Sequence, residues 1–132
     1  MITAIDTSVL IAIAKAEPTA EGWVGHLVGA RRAGRLVICD VVAAEYFSLV
    51  LDSGIYMRTM DGLGIEFDAV TPAAAFEAGR IFHAYRKQGG PREHLLPDFL
   101  VGAHASVQTD QLAADDRGYL RRYFPDLKLL QP

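Results

Sequence analysis

The chain has 132 residues, about half of them apolar and about a fifth charged, with a net charge of −3 and one cysteine. That length suits a single domain with its own core, and the lone Cys39 excludes an internal disulfide framework or a thiolate metal cluster. No signal-peptide pattern opens the chain and no apolar run reaches the roughly 18 residues of a membrane span, so a cytoplasmic protein with no membrane partner is expected; the negative balance confines any nucleic-acid binding to a local basic surface.

The first element is the apolar stretch "ITAI", a short strand, followed by Asp6 and by "TSVLIAIAKA", a continuous apolar helix with a hydroxyl residue ready to cap it. A second helix is expected over residues 21–32, and "GRLVIC" reads as a fully buried strand because Leu36, Val37, Ile38 and Cys39 run without alternation. Asp40 is expected to cap a helix in "VVAAEYFSLVLD", with a short helix over residues 56–62 and a strand in "GIEFDAV" after it. In "TPAAAFEAGRIFHAYRKQ", Thr71 caps, Pro72 suits the first helical position, and Ala74, Ala78, Ile81, Phe82 and Tyr85 share a face. Gly89, Gly90 and Pro91 stop that helix, and "LPDFLVGAHASVQ" starts the next at Pro97. A strand "QLAA", a short helix "GYLRRYF" stopped by Pro125, and a strand "LKLL" complete the chain.

Strands alternating with helices imply an α/β fold whose mostly parallel sheet is covered on both faces and whose crossovers are right-handed. Ligands then collect at the carboxyl ends of the strands, near the reversal of strand order. Asp6 ends the first strand, Asp115 and Asp116 end "QLAA", Glu45 lies about one and a half turns into its helix, and Asp98 sits in a first helical turn. All can face one edge. Carboxylates gathered there cannot all remain ionised without a cation, and oxygen-only donors suit Mg²⁺ or Mn²⁺. Such an ion supports hydrolysis of a nucleic-acid backbone.

The segments "ITAIDTSVL", "VVAAEYFSLV", "LLPDFLVGAHA" and "LAADDRGYLRRYFPDLKLL" resemble the four acidic motifs of PIN-domain ribonucleases, the last two most like VapC toxins of toxin–antitoxin pairs. The resemblance implies a three-layer α/β/α sandwich, a metal-dependent endoribonuclease acting on RNA, a homodimer, and a VapB-type antitoxin that covers an apolar groove. It assigns the acidic roles to Asp6, Glu45, Asp98 and Asp116. Asp6, Asp98 and Asp116 would hold Mg²⁺ or Mn²⁺, Glu45 would complete the negative cup, and Thr7 or Ser8 would hydrogen-bond a ligand carboxylate. The segment before the last acid departs from the family: Ala114 stands where many relatives carry Thr, and Asp115 where they carry a basic residue. Either Asp115 or Asp116 can then be the ligand, with Asp116 favoured.

Plainer readings exist for each residue. Asp6 can simply cap its helix, Asp98 is favourable in a first turn without any metal, and Asp52, Asp61, Glu66, Asp68, Glu77 and Asp126 read as surface acids. The four histidines lack the spacing of a zinc site and read as structural or exposed, with His94, in the loop before Asp98, the one candidate among them for a substrate contact. Trp23, Phe76, Phe82 and Phe99 read as core or protomer contact. Arg86, Lys87 and Arg92 before Asp98, and Arg117, Arg121 and Arg122 after Asp116, would contact phosphates at the cleft rim. Tyr119 and Tyr123 either pack in the core or stack on unpaired bases. Two rival functions are a domain phosphorylated on Asp6 and a non-cleaving PIN-like module that binds RNA or protein. The first is opposed by "TSVL" after Asp6, where a second aspartate is wanted, and by the lack of a lysine at the end of a late strand.

Overall fold

The computed structural model describes residues 1–91, 94–115 and 118–131. The first strand, β1 (Ile2–Ile5), lies between β2 (Arg35–Ile38) and β4 (Gln111–Ala113), with β3 (Ile65–Phe67) outside β2 and β5 (Leu129–Leu130) outside β4. Every neighbouring pair is parallel, and Thr3 is in register with Leu36 on one side and Gln111 on the other. Ala4, Ile5, Leu36, Val37, Ile38, Leu112 and Ala113 are all buried. That is why these strands read as unbroken apolar runs.

Among the described residues seven helices join the strands: α1 (Thr7–Ala14), α2 (Ala20–Ala33), α3 (Asp40–Val50), α4 (Ser53–Leu63), α5 (Pro72–Lys87), α6 (Leu96–Gln108) and α7 (Tyr119–Tyr123). The chain moves outward from β1 to β2 to β3, then returns past β1 to β4 and β5. Right-handed crossovers therefore put α1 to α4 on one face of the sheet and α5 and α6 on the other, which gives the expected α/β/α sandwich. The strand order reverses between β1 and β4, and the crevice at their carboxyl ends is the place where such sheets hold ligands.

Local chemistry sets the helix ends. Thr71 accepts the Ala74 N–H at 3.3 Å and Pro72 fills the first turn of α5, as the sequence predicts. α1 stops at Lys15, two residues early, because Ala16 turns to φ +50°. Asp40 is not a cap: Cys39 is the extended residue before α3, and the Asp40 carboxylate instead accepts the Val70 N–H at 3.3 Å. α4 begins earlier than expected because Asp52, read as a surface acid, accepts the Ile55 N–H at 2.9 Å and caps it. β3 keeps only three of its seven expected residues. Beyond it Asp68, also read as a surface acid, pairs with Nε2 of the fully buried His104 at 2.8 Å. Gln108 Nε2 donates to the same Asp68 oxygen at 3.1 Å, so the link between β3 and α5 is fastened to α6.

Trp23 and Phe99 are buried and Phe82 packs on Phe99, 5.3 Å between centroids. Phe76 is not core: it is 75% exposed on the outer side of α5. Gly102 is a packing glycine, since a Cβ there would stand 2.4 Å from the ring of the buried Phe124. Gly102→Ala is expected to destabilise the fold by about 1–3 kcal/mol, the usual cost of overfilling a core. Urea unfolding of the variant beside wild type measures it, and an unchanged midpoint would contradict this packing.

Candidate functional site

Asp6 follows β1 directly, and its N–H donates to the Ala113 carbonyl at 2.9 Å, carrying the β1–β4 pairing one residue beyond the strand. Its backbone is still extended (φ −78°, ψ 153°), which turns its carboxylate over the start of α1. There Oδ2 accepts from Ser8 twice, from Oγ at 2.5 Å and from N–H at 3.3 Å. The plain reading as a helix cap is therefore correct, and it leaves the carboxylate at the sheet's carboxyl edge. The Asp115 N–H donates to the same Ser8 hydroxyl at 3.4 Å, so the residue that follows β4 is tied beside Asp6.

The neighbouring helices bring two more acids. Glu45, midway along α3, accepts the Thr7 hydroxyl at 2.7 Å, a contact that links α3 to α1. Asp98, in the first turn of α6, accepts the Leu95 N–H at 3.0 Å, and His94 Nδ1 stands 3.8 Å from the same oxygen. Asp6, Glu45, Asp98 and Asp115 line one open cleft of about 320 Å³, with Thr7, Ser8, His94 and Tyr119 between them. Asp116, Arg92 and Arg117 lie outside the described residues, so the choice between Asp115 and Asp116 rests on the sequence alone.

Burial pushes the Asp6 carboxyl above its ordinary range; the Ser8 hydroxyl and the Ser8 and Thr7 N–H groups pull it back, and the Asp98 charge pushes it further up. Among the described residues no Lys or Arg lines this cleft to offset an ionised Asp6. The donor chemistry fits a hard dication, because the acids offer only oxygen. Among the described residues no three His, Cys, Asp or Glu side chains form a group that could hold a metal ion. Mg²⁺ is commonly held by one or two carboxylates with its remaining positions on water, and Asp6 and Asp98, which line the same cleft, are the pair that could supply them.

The basic residues divide. Arg86 is exposed on the last turn of α5, its guanidinium 5.9 Å from the Phe82 ring centre, and does not line the acidic cleft. Arg121 donates to Gln131 at 2.6 Å. Arg122 lies 5.5 Å from the Tyr123 ring centre, in a second cavity beside the cleft. His94, singled out in the sequence by its place in the loop before Asp98, does reach the cleft. It stacks on Tyr119 with centroids 4.4 Å apart and forms one wall of the cleft; its one signal in the sequence is its position four residues before Asp98.

The PIN domain family profile matches residues 3–125. No curated protein sequence matches the chain. Among solved structures, VapBC2 from Rickettsia felis, bound to a DNA fragment from its promoter, is similar at TM-score 0.74 and 20% identity, over 100% of this chain and 99% of that one. VapBC-1 from nontypeable Haemophilus influenzae is similar at 0.70 and 19%, over 99% and 98%. DNA-bound VapBC from Salmonella typhimurium is similar at 0.66 and 16%, over 99% and 98%. At these identities the likeness is one of fold.

The direction of the Asp6 shift has a measurable sign. A carboxyl whose folded pKa is raised holds its proton more tightly when folded, so its ionisation opposes folding as pH climbs from the ordinary value of 3.8 through the folded one. In EDTA, Asp6→Asn is expected to melt at a higher temperature than wild type at pH 7, with the gap closing below about pH 4. Added Mg²⁺ should raise the wild-type melting temperature and leave the variant's nearly unmoved. Thermal unfolding across that pH range tests both, and a variant that melts lower at pH 7 would contradict the burial argument.

Proposed function

Because the chain belongs to the PIN domain family, we propose that it acts as a single PIN domain that hydrolyses RNA phosphodiester bonds with the help of Mg²⁺ or Mn²⁺, as the VapC-type toxin of a toxin–antitoxin pair. The observation that carries this reading is the meeting of Asp6, Glu45, Asp98 and Asp115 from four separate segments in one cleft at the carboxyl edge of the sheet. A fold alone needs no such concentration of like charge, and repulsion among the acids works against it.

In this mechanism Asp6 and Asp98 hold the ion, with Asp116 as a further ligand by the family resemblance. A dication held there would supply charge neutralisation of the acids and Lewis-acid activation of a phosphoryl oxygen and of water. Ser8 holds the Asp6 carboxylate in one orientation through its hydroxyl and N–H, and the Leu95 N–H does the same for Asp98. Glu45 keeps one oxygen on Thr7 and faces the cleft, where it orients the attacking water or takes its proton. Basic side chains that the sequence sets before Asp98 and after Asp116, with Arg86, Arg92 and Arg117 as candidates, would offset the cup's repulsion of a polyanion.

A VapB-type antitoxin is the proposed partner, supported by the VapBC complexes whose fold this chain shares. Exposed Phe47 and Leu51 at the end of α3, with Ile55 and Met57 on α4, offer apolar surface for that partner or for a second copy in a homodimer.

The non-cleaving module is a second reading, favoured by one observation: among the described residues the acids do not by themselves complete a metal group. One experiment separates the two. Purified protein is incubated with structured RNA in Mg²⁺, in Mn²⁺ or in EDTA, and cleavage is followed by gel. Cleavage is expected with either ion, abolished by EDTA, and slowed roughly a hundredfold or more by Asp6→Asn or Asp98→Asn, since charge stabilisation by a metal amounts to several kcal/mol. Cutting that survives both the chelator and both substitutions defeats the mechanism, and bound but uncut RNA under every condition favours the non-cleaving module.

A further inference from the structure

Beside the acidic cleft lies a second cavity, of about 310 Å³, lined by Tyr85, Pro91, His94, Tyr119, Arg122 and Tyr123. His94 and Tyr119 line both spaces. Their stacked rings are therefore the partition between a chamber of aromatic faces and a chamber of carboxylates. Such a pair of sites, one for an apolar planar group and one for a hydrolysable anion, matches the two ends of a nucleotide. From this we propose that the aromatic cavity holds one unpaired base of the RNA, with guanine preferred, while the adjoining phosphate enters the acidic cleft. The inference rests on the nuclease reading only for the second half of that statement.

Three features favour a base. The volume sits at the small end of the roughly 300–1,000 Å³ typical of ligand pockets, and single-stranded RNA is commonly held by stacking on Tyr, His and Arg planes. The floor is built in advance: Tyr85 is buried against Phe99 and Tyr123, with centroids 5.1 and 5.2 Å away, and its hydroxyl donates to the Pro91 carbonyl. Gly90 lets the chain cross this ring, since a Cβ there would stand 2.6 Å from Tyr85 carbons. A floor so fixed loses little freedom when a ligand arrives.

Arg122 supplies the selectivity. Its guanidinium is held near the Tyr123 face, and among the described residues no carboxylate pairs with it. The group carries a fork of donors and no acceptor. Guanine answers it with two adjacent acceptors, O6 and N7, whereas adenine offers N7 beside an amino donor that would oppose the fork.

The test uses fluorescein-labelled pentauridine and its variants with one central guanosine, adenosine or cytidine. Binding is read by anisotropy in EDTA, in the Asp6→Asn background, which removes one repelling charge and suppresses cleavage. The guanosine oligomer is expected to bind roughly tenfold more tightly than the adenosine one, a preference that Arg122→Ala abolishes and that Arg122→Lys, which keeps the charge without the planar fork, does not restore. Arg122 is exposed, so these variants should fold, and circular dichroism confirms it. Equal binding of all four oligomers, or an equal loss for all four in Arg122→Ala, makes Arg122 a phosphate contact and overturns the proposal. Cleavage by the wild-type chain in Mg²⁺ is scored separately. A guanine preference without any cleavage leaves the base pocket standing and sinks the nuclease reading, and cleavage without base preference does the reverse.

Discussion

The hydrogen bond from the Asp6 N–H to the Ala113 carbonyl is the contact on which the site depends. It extends the pairing of β1 and β4 by one residue past the last strand position, so the residues that follow the two strands leave the sheet side by side. The strand order reverses at that same seam. Two chains of parallel crossovers diverge there, and the gap between them is where side chains from α1, α3 and α6 can meet over one opening. The shared Ser8 hydroxyl, which donates to Asp6 and accepts from the Asp115 N–H, closes this seam with a second bridge.

The cleft works against the stability of the fold that makes it. Burial and the nearby Asp98 both disfavour an ionised Asp6. The surrounding network offsets only part of that through Ser8 and Thr7, and the remainder is what a dication would relieve. Local hydrogen bonds play two parts here. Ser8 on Asp6, Thr7 on Glu45 and Leu95 on Asp98 each restrain a carboxylate and each also stabilise a helix start or a helix contact. Structural and functional explanations of these residues are therefore not rivals.

Much of this was legible in the sequence because periodicity and capping are local. Unbroken apolar strands, Pro72 and Pro97 at helix starts, and the glycines after α5 placed the sandwich, and with it the common edge for Asp6, Glu45 and Asp98. Two of the misses depend on partners distant in the chain: Asp40 accepts the Val70 N–H, and Asp68 pairs with His104, 36 residues on. The cap that Asp52 forms on α4 is local, three residues from Ile55, but an acid before a weakly apolar helix carries no stronger signal than a surface residue. Nothing in the composition of "GPREH" foretold that His94 would stack on Tyr119 and divide two cavities, because stacking partners leave no spacing signal.

The central position of the first strand sets a timetable for synthesis. Of the five described strands β1 leaves the ribosome before the others, yet its partner on one side is β2 and on the other is β4, whose Gln111 pairs with Thr3. Pairings between such distant segments form late and slowly. Until Ala113 has emerged, Asp6 has no carbonyl to bind and the acidic edge cannot assemble, so a nascent chain carries every residue of the cleft's α1 and α3 walls without the architecture that unites them.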